Sequence, residues 1–217
     1  MSYLSTYANM KILMISDYCT PLWWIEQYIV DSSNLLSKDG HTVTSIGSRL
    51  PSSMIHHIRG MMLFCTSFNV PLSCVLWYHI INNRPDIIRR HSVVRYVWRL
   101  PIYLASWYNI PMMMMYHDLW YFHPYPSLVT NISQLVQQWN LKQWIQAWTK
   151  VWRWSIHHII LMTLKYWSLS LIRSILIKHI TLHLVPSDYM IPIVTQRWVP
   201  KNRISVLWHF GRIDESL

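Results

Sequence analysis

The chain reads as an α/β protein, an open parallel sheet of Rossmann-like winding with helices on both faces. Two observations predict this. Short apolar runs bounded by turn residues, at Ile12–Ile15, Met112–Met115 and Leu182–Val185, have the length and composition of strands buried on both faces. Between such runs lie stretches with apolar residues at helical spacing, as at Ile25, Tyr28, Ile29, Leu35 and Leu36. Strand–helix–strand units of this kind build parallel sheets.

The first unit is the clearest. After strand 12–15, a turn around Asp17 and Pro21 leads into the helix, and Lys38-Asp39-Gly40 ends it with glycine at the C′ position. Thr42 to Ile46 reads as the second strand. Arg49 to Gly60 is a connection in which Pro51-Ser52-Ser53 caps a short helix. Met61 to Phe64 reads as a third strand and Val70 to Ile81 as a helix. Arg84-Pro85-Asp86 then enters a buried strand that ends near His91. A helix over Val93 to Trp107 and a turn at Asn109-Ile110-Pro111 precede strand 112–115, whose four methionines read as soft core filling. Ser133 to Ile180 reads as mostly helical. Leu182 to Val185 is a strand, Pro186-Ser187 starts a helix through Gln196, and Ile204 to Leu207 is the last strand. There is no internal repeat and no low-complexity tract.

At 217 residues the chain has material for one domain or one and a half. Cys19, Cys65 and Cys74 are odd in number and form no CxxC, so they read as free thiols of a reducing compartment. Residues 1–9 are polar and lack the apolar core of a secretory signal, and Met10-Lys11 makes a natural start. Residues 1–10 therefore read as a leader or a mis-called start. Hydrophobic content is 52%, and the runs Gly60 to Asn83 and Leu100 to His117 are uncharged. Asn, His and Pro interrupt both runs, so they read as buried pieces of an α/β domain rather than as membrane spans.

The net charge of +10 bears on partners. No acidic residue falls between Asp118 and Asp188, while Lys142, Lys150, Arg153, Lys165, Arg173 and Lys178 do. Such a stretch meets anionic headgroups or nucleic acid, or is the solvated face of a basic protein. His56-His57, His157-His158 and the pair His179 and His183 lack the Glu or Cys partners of a specific metal site, so no metal cofactor is expected. No GxSxG, GxxxxGK[ST] or GxGxxG is present.

Several motifs carry a resemblance. Pro21, Ile25 and Glu26, then Gly40-His41, Val43-Thr44, Ile46 and Gly47, are similar to the PxxGGIE and GHxVTxIG motifs that open retaining glycosyltransferases of the GT-B type, in the large group-4 family. The stretch PDIIRRHS at 85–92 resembles that family's PDIIHxHS strand. YHDL at 116–119 resembles its strand ending in histidine, and VPSDYM with VPKNRISVL resembles the close of its N-terminal domain. The likeness spans Lys11 to Leu207. It implies an acceptor-side Rossmann-like domain over 11–207, the start of an interdomain linker at 208–217, and an absent C-terminal donor domain, so that the chain is a fragment or half of a two-chain enzyme.

The chain departs from the family at Trp23 and Trp24, where it has two glycines, and again at Trp120 and Trp198. Glycines there let backbone amides approach a phosphate at a helix N-terminus, whereas two indoles fill that space. The chain has Trp 14 and Gly 4. The expectation that follows is that these four tryptophans are glycines in the cell, read from UGA codons as some bacteria do. The alternative is true tryptophans in a decayed site.

The resemblance implies a bacterial enzyme of cell-envelope glycan biosynthesis. It would move a sugar from a nucleotide-sugar donor to a glycan or lipid-linked acceptor without a cofactor or metal. It would be cytoplasmic, or peripheral at the inner face of an anionic membrane, with no nucleic acid as partner. His117 takes the catalytic role, donating a hydrogen bond near the reacting carbon. Trp23 and Trp24, as glycines, line the substrate site. Asp118 orients its loop or touches substrate, and Ser187 faces the cleft or caps a helix. The competing expectations are a non-catalytic basic module docking on membrane or nucleic acid through residues 142–178, and an inactive truncated product.

Overall fold

A computed structural model describes residues 9–18, 24–48, 70–91, 100–117, 141–143, 146, 160, 163–164, 166–167, 178–196 and 199–208. Among the described residues six strands form one sheet: β1 (Lys11–Tyr18), β2 (Thr42–Ser48), β3 (Ile87–His91), β4 (Met112–Met115), β5 (Leu182–Val185) and β6 (Ile204–Val206). Every pairing is parallel and the order is β2-β1-β3-β4-β5-β6. The chain is thus an α/β, Rossmann-like protein, as its alternating pattern predicts. Helix α1 (Trp24–Lys38) joins β1 to β2, α2 (Val70–Asn83) precedes β3, α3 (Leu100–Trp107) precedes β4, and α4 (Met190–Thr195) joins β5 to β6. Winding runs outward from β1 to β2 and then returns past β1 to β3. Right-handed crossovers in opposite directions lie on opposite faces, so α1 covers one face and α2 with α3 the other.

Alternation along the strands sets two kinds of row across the sheet. Met14, Arg89, Met113 and Leu182 stand side by side in register, as do His91, Met115 and Leu184 one pleat on. These rows face α1, whose Tyr28 packs on Met115 and Leu184. Ile15, Arg90, Met114 and His183 form a row on the other face. The four methionines of β4 are core: Met112, Met114 and Met115 are fully enclosed.

Three helices end alike. Gly40 follows α1 at φ +89°, with His41 N–H bonding Leu36 O and Gly40 N–H bonding Ser37 O, the Schellman pattern that Lys38-Asp39-Gly40 predicts. Asn109 at φ 53° repeats it after α3, through Ile110 N–H to Ala105 O and Asn109 N–H to Ser106 O. Arg84 at φ 44° ends α2 with a single bond from its N–H to Ile80 O. A side chain in this left-handed region is costly, and asparagine bears it better than arginine.

Some boundaries differ from the sequence reading. β1 runs on past Ile15 to Tyr18, because Tyr18 still pairs with Ser48 beyond a shift in register. α4 begins at Met190 rather than at Pro186-Ser187. Residues 186–189 bend and turn, Met190 N–H bonds Ser187 O, and Tyr189 is the N-cap residue with no side-chain cap bond. Ser187 is therefore not a helix cap. The strand expected at Met61–Phe64 and the start of the helix expected from Val93 lie outside the described residues. The described residues between 141 and 179 are helical. Among the described residues no helix is long and apolar enough to cross a membrane. The described parts of the uncharged runs form α2, α3 and β4 instead.

Candidate functional site

In open α/β sheets ligands bind beyond the carboxyl ends of the strands, at the point where the strand order reverses. That point lies here between β1 and β3. β3 ends at His91, and β4 ends at Met115 with Tyr116 and His117 following. Register places His91 beside Met115, and His117, two residues further on, faces the same way. The two imidazoles meet edge to edge: His91 Nδ1 lies 2.8 Å from His117 Nε2, with the ring planes 16° apart and centroids 5.1 Å apart. Both histidines are buried.

One proton serves a bond between two imidazole nitrogens, so one of the two facing atoms carries hydrogen and the other a lone pair. From α1 above, the Tyr28 ring stands edge-on to both, 5.2 Å from His117 and 6.0 Å from His91. Arg89 lies under the same tyrosine. Its NH2 group donates to Tyr28 Oη at 2.7 Å, and its guanidinium carbon is 5.6 Å from the ring centroid. Arg89 is buried, and its Nε has no hydrogen-bond partner among the described residues. A buried cation is expensive, and among the described residues the Tyr28 hydroxyl and ring face offset part of that cost.

A second polar group lies on the opposite face. Tyr116 Oη bonds His183 Nδ1 at 2.9 Å, and their rings stack at 5°. Burial holds the Tyr116 hydroxyl well above the ordinary phenol range, against a smaller opposing pull from Arg90. Burial, and then the Arg203 guanidinium, lower the His183 imidazole from 6.5 to about 4. His183 is therefore neutral at physiological pH. His179 bonds Ser106 Oγ at 2.7 Å instead of meeting His183. Among the described residues no three His, Cys, Asp or Glu side chains converge as a metal ion requires. Cys74 is free and exposed.

A cavity of about 110 Å³ opens between α1, β1 and β2, lined by Ser16, Glu26, Ser33, Asn34 and Ser45 among others. Glu26 is buried in the first turn of α1, where a carboxylate is favoured by the helix dipole. Met14, Ile29, Val30 and Ile46 line it as well, so the cavity is mixed, with its apolar wall the larger.

Of the residues singled out in the sequence, His117 lies in the buried cluster at the strand ends. Ser187 is half-buried after β5 at the same edge. Trp23, Asp118, Trp120 and Trp198 lie outside the described residues, and Trp24 is the first residue of α1. The positive-φ positions among the described residues, other than glycine, are Arg84 and Asn109. Neither is a tryptophan, so no described tryptophan stands where the backbone alone demands glycine. The sequence reading missed His91, Arg89 and Tyr28 as site residues. The signal was present in principle, since parallel β3 and β4 align the residues that follow Pro85 and Pro111.

No known family's sequence profile matches the chain, and no curated protein matches it. Among solved structures it is similar to Anabaena HepE, in complexes with UDP and glucose, with UDP, and with UDP-glucose. Identity is 11% and the TM-score is 0.45 in each case. The match covers 93% of this chain and 45% of the HepE chain in the complex with UDP and glucose, so the chain spans less than half the length of that structure. At so loose a likeness, the assignment of the fold rests on the observed sheet order itself.

Proposed function

We propose that this chain is the acceptor-side half of a GT-B glycosyltransferase, moving a sugar from a nucleotide-sugar donor to a glycan or lipid-linked acceptor. The observation that carries the reading is His117, packed into a polar cluster at the carboxyl edge beside the strand-order switch. In the sequence, the YHDL, PDIIRRHS and GHTVTSIG stretches resemble those of the group-4 enzymes. In this reading His117 donates a hydrogen bond to the donor sugar near the reacting carbon, and Asp118 and Ser187 border the same space. Backbone amides at the N-terminal end of α1 meet the anionic part of the substrate, a use that glycine at positions 23 and 24 permits and tryptophan obstructs. The tryptophans at 23, 24, 120 and 198 are accordingly read as glycines encoded by UGA, which the gene's codons test directly: UGG at these positions sinks that part.

The activity test uses the full reading frame of the gene. Purified protein is incubated with radiolabelled nucleotide sugars and an acceptor extract, and label transfer is compared with a His117→Ala variant of unchanged circular dichroism. Transfer by the wild type and a loss of at least about a hundredfold in the variant support the reading. Equal transfer by both removes His117 from the chemistry.

A further inference from the structure

The imidazole pair joins a residue the proposed reaction uses to one that it does not. His91 sits at the last position of β3, walled by the sheet below and by the Tyr28 ring on α1. Its Nδ1 is 2.8 Å from His117 Nε2, so the hydrogen on one nitrogen excludes hydrogen on the other. Whichever tautomer His91 holds, His117 must hold the complementary one, and its Nδ1 is thereby fixed as donor or as acceptor. The in-plane bond between the rings, whose planes are 16° apart, and the Tyr28 ring beside them restrain the His117 ring against rotation. Arg89 fixes Tyr28 in turn through the 2.7 Å bond to its hydroxyl.

We propose that His91 is a positioning residue that sets the tautomer and ring orientation of His117, with Tyr28 and Arg89 as its clamp. The activity arm of the test rests on the glycosyltransferase reading, whereas the spectroscopic arm does not. Positioning partners of this kind commonly change function by ten- to a hundredfold when removed.

The experiment uses nitrogen-labelled histidine in the full-length protein and follows the His117 ring nitrogens, assigned by their loss in His117→Asn. In the wild type, the pair is expected to show one protonated and one bare nitrogen at the facing positions. His91→Phe removes the nitrogen and should shift both His117 ring signals towards a tautomer mixture. His91→Asn returns an amide atom close to the place of Nδ1 and should restore a single tautomer, whereas His91→Gln, whose amide lies one carbon further out, should not. Transfer should follow the same order: about tenfold or more lower kcat in His91→Phe and His91→Gln, near recovery in His91→Asn, and a donor KM within about twofold throughout. Ring signals of His117 that ignore His91→Phe overturn the proposal, and so does rescue by glutamine equal to that by asparagine. If the protein transfers no sugar, the enzyme reading falls, and the ring signals still decide the role of His91.

Discussion

Acidification tests the buried face of the sheet through His183. In the fold its imidazole titrates at about 4, against 6.5 unperturbed, because burial and the nearby Arg203 disfavour the charged form. The unfolded chain then takes up a proton on this residue at a pH where the native chain does not. Stability attributable to His183 is thus fully present above about pH 6.5, falls as the pH drops, and is lost by about pH 4. The change from 6.5 to about 4 corresponds to about 3 kcal/mol in total, of which about 2 kcal/mol is gone by roughly pH 5. That is a large share of the stability of a domain this size, commonly 5–15 kcal/mol. The assay is urea unfolding near pH 7 and near pH 5, followed by far-ultraviolet circular dichroism, on the wild type and His183→Phe. The substitution costs stability at both pH values, since Tyr116 loses its bond to His183, so the decisive quantity is the difference between the two pH slopes. The wild type should lose about 2 kcal/mol more than the variant between the two conditions. Parallel slopes would refute the reasoning and mean that water or a relaxed neighbour solvates His183 in the native state.

Two further outcomes follow from the geometry. Arg84, exposed and at φ 44°, should be replaceable by glycine with a gain of about 1 kcal/mol in chemical denaturation, a larger gain than Asn109→Gly gives; a loss of stability would show that the Arg84 side chain contributes contacts of its own. Tyr28→Phe removes the hydroxyl that accepts from Arg89 and should cost about 2 kcal/mol in thermal or urea unfolding, whereas an unchanged midpoint would mean that water reaches the guanidinium.

The strands could be read where chain punctuation bounded them. Pro111 and the residues after Met115 bracket β4, and Pro186 closes β5, so those two strands fall where their apolar runs do. Gly40 announced the end of α1 because only that residue type sits easily at φ +89°, and an added Cβ would also lie 3.2 Å from Asn9 Oδ1. β1 ran further than expected because its last pairing depends on β2 rather than on apolar content. The start of α4 was misplaced because a proline and serine before a helix look the same whether they cap it or turn ahead of it. The site was legible only in part. His117 stood out through its context, but its partner is 26 residues away in sequence and becomes a neighbour only when β3 and β4 pair in register. Arg89 and Arg90 broke the pattern altogether, since two consecutive arginines in a strand ordinarily mean at least one exposed face, and here both are buried.

The left-handed residues that close α1, α2 and α3 divide the molecule by how much change it tolerates. Each of those turns passes directly from helix into strand, at 39–41, 84–86 and 108–111, and its own backbone bonds fix its length. An added residue there would break a cap and slip a strand. The described connection that leaves a strand, 186–189, carries no left-handed cap of this kind, and it departs from the edge where His91 and His117 sit. The rim opposite the candidate site is therefore locked in length, and the register that brings His91 beside Met115 inherits that lock.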